Sequence, residues 1–151
     1  MANKITPFLW FDGRAEEAAR FYASIFKNSH IDSVSAMSST FHLDGQKFIA
    51  LNGGPQFTFT EAISFFVDCE SQTEIDELWT KLSAGGEPGR CGWLKDKFGV
   101  SWQIIPSVLG DMLQDEDDEK SDRVMQAMLQ MGKLEIAQMR SEEHTSELQS
   151  R

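Results

Sequence analysis

The stretch AISFFVDCESQTEIDELWTKLSAGG, residues 62–86, decides how this chain is to be read. Ala62–Cys69 is an apolar, β-branched and aromatic run, the pattern of a strand. Ser71 and Glu74 then stand as S-Q-T-E, a capping box in which each side chain satisfies a backbone donor left bare at a helix start. Ile75, Leu78, Trp79 and Leu82 follow at helical spacing and make one apolar stripe. Gly85-Gly86 supplies the stop, because glycine accepts the left-handed conformation at a helix end.

The N-terminal part repeats this unit. Ile5–Phe11 is an apolar run ending at Asp12, and a helical stripe follows at Ala15, Ala18, Ala19, Tyr22, Ile25 and Phe26. A shift of about 56 residues superposes Asp12 on Asp68, Tyr22 on Leu78 and Phe26 on Leu82, a period that argues for a duplicated supersecondary unit. After the first helix, Ile31–Ala36, Ser39–Leu43 and Gln46–Leu51 read as strands. Asp44-Gly45 between the last two is a type I′ hairpin signal. After the second helix, Glu87-Pro88-Gly89 reads as a loop, Arg90–Leu94 as a strand and Val100–Ile105 as a buried strand. The first half is therefore β-α-β-β-β, and the second is read on the same plan with one strand very short. Asn52-Gly53-Gly54-Pro55 marks the boundary, and Gln56–Glu61 is an extended linker or a short edge strand.

Beyond Pro106 the texture changes. Val108–Leu113 is a short apolar segment. Asp115–Glu119 is an acidic run suited to the positive end of a helix dipole. Val124, Met125, Met128, Leu129 and Gly132 share one helical face, expected to dock on the domain or on a partner subunit. Residues 140–151, RSEEHTSELQSR, fit nothing before them. They resemble a translated sequencing adapter and are expected to be a non-native tail.

The chain of 151 residues carries a net charge of −10. That balance disfavours nucleic acid and anionic membrane as partners. No apolar run reaches membrane-span length, and no secretory signal pattern opens the chain, so a cytoplasmic protein is expected. Cys69 and Cys91 form no C-x-x-C and read as reduced thiols.

Several segments together resemble one family: KITPFLWFDGRAEEAARFYASIF (4–26), LDGQKFIALNGGP (43–55), FTEAISFFVDCES (59–71), LSAGGEPGRCGWLKDKFGVSWQIIP (82–106) and RVMQAML (123–129). They are similar to the PhnB-like, 3-demethylubiquinone-9 3-methyltransferase-like branch of the vicinal oxygen chelate superfamily, which includes glyoxalases, bleomycin-resistance proteins and extradiol dioxygenases. The resemblance covers about residues 3–137. It implies an α+β fold of two β-α-β-β-β modules, residues 3–54 and 57–106, with curled mixed sheets around a cavity. A C-terminal helical segment, 107–139, completes a domain of residues 1–139, and homodimers are usual. The chain departs from the family between Ala36 and Leu43, where its hairpin is shorter.

The resemblance also implies where a divalent metal would be held. The usual ligand positions fall on Ile5, Ala62 and Gln103. The first two carry no donor, and glutamine is a weak neutral one. No cofactor is therefore expected; a divalent metal stays open but unsupported. His30 and His42, about 12 residues apart, lie on strands with no evident match and read as ordinary surface histidines.

Strand alternation places Ile5, Pro7, Leu9 and Phe11 on one face, Ala62, Ser64 and Phe66 on another, and Ser101, Gln103 and Ile105 on a third. If these faces line the cavity, it is apolar with a few polar groups. The expected ligand-binding residues are Leu9, Phe11, Asn52, Ser64, Phe66, Trp93, Ser101 and Gln103, with no metal ligand among them; catalytic residues are unassigned. The function expected is binding of a small, largely apolar or aromatic molecule. The alternative is a metal-dependent lyase, isomerase or dioxygenase with ligands not yet placed. Methyl transfer is disfavoured, since no G-x-G-x-x-G turn precedes a helix.

Overall fold

The computed structural model describes residues 3–144. The described chain forms two compact units, up to Phe59 and from Thr60 onward.

The first unit runs β1 (Phe8–Phe11), α1 (Ala15–Ile25), β2 (His30–Val34), β3 (Ser38–Leu43) and β4 (Gln46–Asn52). Its four strands lie in the order β1-β4-β3-β2. β1 runs parallel to β4, and the remaining pairs are antiparallel. The Asp44-Gly45 hairpin is as expected, with φ of 48° and 82°, the left-handed values that a type I′ turn needs. α1 buries Ala15, Ala18, Ala19 and Tyr22 against β3 and β4. Tyr22 stacks on Phe41 at 6.2 Å and Phe41 on Phe48 at 5.4 Å, so these rings mark the face covered by the helix. Residues 53–60 form no strand. Phe57 and Phe59 instead place their rings against Trp10 and Phe11 and pack with the first unit. Gly53 is required there, since a Cβ would fall 2.3 Å from the Trp10 ring.

The second unit repeats the plan: β5 (Phe65–Cys69), α2 (Gln72–Ser83), β6 (Glu87–Pro88), β7 (Trp93–Lys95) and β8 (Ser101–Pro106), in the order β5-β8-β7-β6. The capping box forms. Glu74 N donates to Ser71 Oγ at 3.1 Å, while Glu74 Oε1 accepts from Glu70 N at 3.0 Å, one residue ahead of the usual return contact. α2 ends before Gly85, at φ 76°. The strand expected from Ala62 starts only at Phe65. The strand expected over Arg90–Leu94 is shorter and later, because Cys91 and Gly92 take φ of 58° and 84° and turn the chain where a strand would extend it. The loop expected over Glu87–Gly89 in turn contributes the short strand β6. Asp96 is buried and organises the β7–β8 turn. It accepts from Phe98 N, Val100 N and Trp102 Nε1, which satisfies a carboxylate that burial would otherwise penalise heavily.

One C-terminal helix is the expectation; three are present among the described residues. These are α3 (Val108–Leu113), α4 (Asp118–Leu129) and α5 (Ile136–Glu142). The acidic run does open a helix, with Asp117 accepting from Glu119 N and Lys120 N. Leu109, Met112, Val124, Met131, Leu134 and Met139 close a core over Ile105 of β8. Gln72 fixes this segment to α2, donating to Leu134 O and accepting from Ile136 N at 2.9 and 2.8 Å. Of the tail set apart at residue 140, residues 140–142 continue α5, and residues 145–151 lie outside the described residues.

Candidate functional site

A sheet with a helix on one side leaves its other side open, and strand alternation decides which residues face it. In the first unit Leu9 pairs with Ala50 and Phe11 with Asn52. Ala50 shares the face of Phe48, under α1. Leu9 and Phe11 are 8% and 4% exposed and belong to that helix-side core. They are expected to line a hollow, and the alternation points them at α1 instead. Phe8, Trp10, Thr40, His42 and Ile49 take the open side. Asn52 also holds the chain in place. Its Oδ1 accepts from Ala15 N at 2.8 Å, and its Nδ2 donates to Ala36 O at 3.0 Å. It thereby satisfies a bare donor at the start of α1.

In the second unit α2 packs on β7 and β8, with Leu94, Trp102 and Ile104 buried. The opposite face carries the remaining expected residues. Trp93 on β7, Gln103 on β8 and Phe66 on β5 are register partners, so their side chains form one row across three strands. Gln103 Nε2 donates to Ser64 Oγ at 2.9 Å. Ser101 lies one pleat along from Gln103, paired with Lys95. Five of the eight expected residues thus share this face.

The face is apolar but not blank. Phe66 is 60% exposed. Ser101 is 2% exposed, yet its Oγ has no hydrogen-bond partner among the described residues. An unmet buried hydroxyl is costly and marks a place for a polar atom from elsewhere. A cleft of about 160 Å³ runs along this edge, bounded by Glu61, Glu87, Trp93, Lys95 and Ser101 among others. At its rim Lys95 Nζ pairs with Glu61 Oε1. The Lys95 hydrogen bond holds the Glu61 carboxyl below its ordinary range, and Glu61 raises Lys95 in return. At the end of β5, away from this cleft, the thiol of Cys69 is pushed up to about 12, first by burial and then by Glu74, which makes it a poor nucleophile.

The metal positions implied by the family do not fit a metal here. Ile5 is 84% exposed and precedes β1. Ala62 lies in a turn before β5, and neither side chain has a donor atom. Gln103 turns its Nε2 to Ser64, and its neutral amide oxygen would be a single weak ligand with no second donor at the other two positions.

One grouping went unseen in the sequence. His30 and His42 are direct cross-strand partners on β2 and β3, not residues of unmatched strands. The signal was available: both lie six residues from Ala36, at the centre of the connecting turn.

The family model described as 3-demethylubiquinone-9 3-methyltransferase matches residues 3–105. Among solved structures, a PhnB protein from Bacillus cereus, named for the same methyltransferase, is 40% identical with a TM-score of 0.64. The match covers 69% of this chain and 99% of that one. Protein PA1353 from Pseudomonas aeruginosa shares the fold at 20% identity and a TM-score of 0.58, covering 70% of this chain and 98% of that one. The fosfomycin resistance protein FosX from Listeria monocytogenes, solved with Mn(II) and sulfate, does so at 16% identity and a TM-score of 0.51, covering 68% and 87%. No curated protein matches the chain.

Proposed function

The chain belongs to the PhnB-like, 3-demethylubiquinone-9 3-methyltransferase family of the vicinal oxygen chelate superfamily, and from that premise we propose that it binds a small, largely apolar or aromatic molecule on the open face of the second unit. The observation that carries this reading is the Ser101 hydroxyl, buried, unpartnered and on the wall of a cleft. Trp93 offers flat apolar surface in the same cleft, and Phe66 and the carbonyl end of Gln103 continue the same face of the sheet. A cleft of about 160 Å³ suits a ligand near the size of a single aromatic ring, since an apolar cavity of roughly 150 Å³ takes benzene.

Methyl transfer from a nucleotide donor is not part of this proposal. The turns into α1 and α2 are Asp12-Gly13-Arg14 and Glu70-Ser71. Neither offers the glycine-rich phosphate cradle of a doubly wound sheet, and each sheet here is small and mixed. The proposal includes a cytoplasmic homodimer. Exposed Ile5, Phe8, Met37 and Phe57 give the first unit apolar surface for a second copy, and the free thiols of Cys69 and Cys91 suit a reducing compartment. Light scattering should return twice the chain mass of 17.1 kDa.

The test is a thermal-shift screen of small aromatic and apolar compounds, with Ser101→Ala as the control. Removing an unmet hydroxyl leaves the ligand-free melting temperature unchanged or higher. The same change should shrink the shift produced by any compound that binds. A screen without hits, or hits indifferent to Ser101→Ala, would overturn the assignment.

A further inference from the structure

On the first unit, apart from the face just described, three side chains converge at the sheet edge. His30 and His42 stack with ring centroids 4.8 Å apart and planes 18° from parallel. Asp32 sits between them: its Oδ1 lies 3.0 Å from His30 Nε2 and its Oδ2 lies 2.6 Å from His42 Nδ1. One donor atom from each residue fits within 4.8 Å of the others.

The backbone explains how two strands deliver three ligands to one point. β2 and β3 keep one register through His30↔His42 and Ile31↔Phe41, then shift before Ser33↔Thr40. Asp32 is the extra residue of that bulge. Without it, Asp32 would simply follow His30 along the edge strand. A bulge re-aims a side chain, and here the carboxylate bridges a ring nitrogen of each imidazole.

We propose that His30, Asp32 and His42 form a binding site for a divalent transition metal of the zinc, nickel and copper class. Two imidazoles and one carboxylate are the donor set those ions take. Tetrahedral zinc, with bonds near 2.0–2.1 Å, needs donors about 3.3 Å apart. The donor atoms already lie within 4.8 Å of one another, so an ion would draw them in from a distance of the right order. Three protein ligands leave a position for water or an external donor. The group is partly exposed, with side chains 60%, 32% and 28% accessible for His30, Asp32 and His42, so an ion can enter directly. Lys47 is the register partner of His42 on β4 and is exposed. The site does not depend on the ligand reading above.

Zinc titration of the full chain by calorimetry tests it. The expected result is one zinc per chain, with binding weakened at least about tenfold by each of His30→Gln, Asp32→Asn and His42→Gln. The chain has three histidines, so its imidazole proton spectrum is readable and covers the case where a variant misfolds. In the unmodified protein the His30 and His42 signals should shift together at one equivalent of zinc while His144 stays. No zinc uptake, uptake unaffected by all three changes, or a shift confined to His144 would overturn the assignment.

Discussion

The side-chain amide of Gln103 donates a 2.9 Å hydrogen bond to the hydroxyl of Ser64, tying the middle strand of the second sheet to the chain entering β5. The two residues are 39 positions apart, and the bond holds the polar centre of the row formed by Trp93, Gln103 and Phe66.

Gln103→Ala should therefore act twice. Losing the bond costs about 1 kcal/mol of stability, read as a lower urea midpoint at unchanged slope. Any compound found by thermal shift should also bind more weakly. A variant that loses stability but binds as before would remove Gln103 from the site.

Asn52 should behave in the opposite way. Its two hydrogen bonds serve Ala15 N and Ala36 O, so Asn52→Ala should cost about 1–2 kcal/mol and leave the affinity of a bound compound unchanged. Chemical denaturation and a binding titration on the same variant separate the two effects. Asn52→Asp keeps the acceptor at the start of α1 and should recover part of the loss.

Docking of the C-terminal segment should depend on pH through Lys133 and Asp76, which pair at 2.8 Å. The Lys133 hydrogen bond, helped by Gln72, holds the Asp76 carboxyl below its ordinary value. A depressed carboxyl stabilises the fold above its unfolded pKa of about 3.9, and that contribution is lost as pH falls through the lower folded value. Lys133 is raised, first by Asp76. Its contribution is complete below about pH 10.4 and is lost as pH rises through the higher folded value. Thermal melts at graded pH should show a gentle loss at the acid end that Asp76→Asn flattens. The pair is half-exposed, so the effect is small and salt-sensitive.

Thiol labelling should distinguish the two cysteines. Cys69 is fully buried, and its thiol is pushed up to about 12, so little thiolate exists at neutral pH. Cys91 is only partly buried. A disulfide-exchange reagent should titrate one thiol per native chain and both in urea. Two fast-reacting thiols in the native protein would show that β5 opens readily.

The sequence by itself determined the two strand–helix units, the capped ends of α2, the Asp44-Gly45 hairpin and the repetition of the plan. Ser71, Glu74 and Gly85 fix the ends of α2 through contacts spanning four residues or fewer, and Asp44-Gly45 fixes a turn through its own φ angles. Such signals are local, so they survive without knowledge of the rest of the chain. The family was legible too, because separated motifs repeat in order. What the tertiary structure decided is which side of each strand faces what. The repeat of about 56 residues sets Trp10 against Phe66, yet strand alternation alone allows Leu9 and Phe11 on the lining. The choice between the two faces depends on which side α1 docks, and the strand alternates identically for either. The meeting of His30, Asp32 and His42 depends on how β2 pairs with β3: the register sets the two rings face to face, and Asp32, at the bulge that follows, bridges a nitrogen of each.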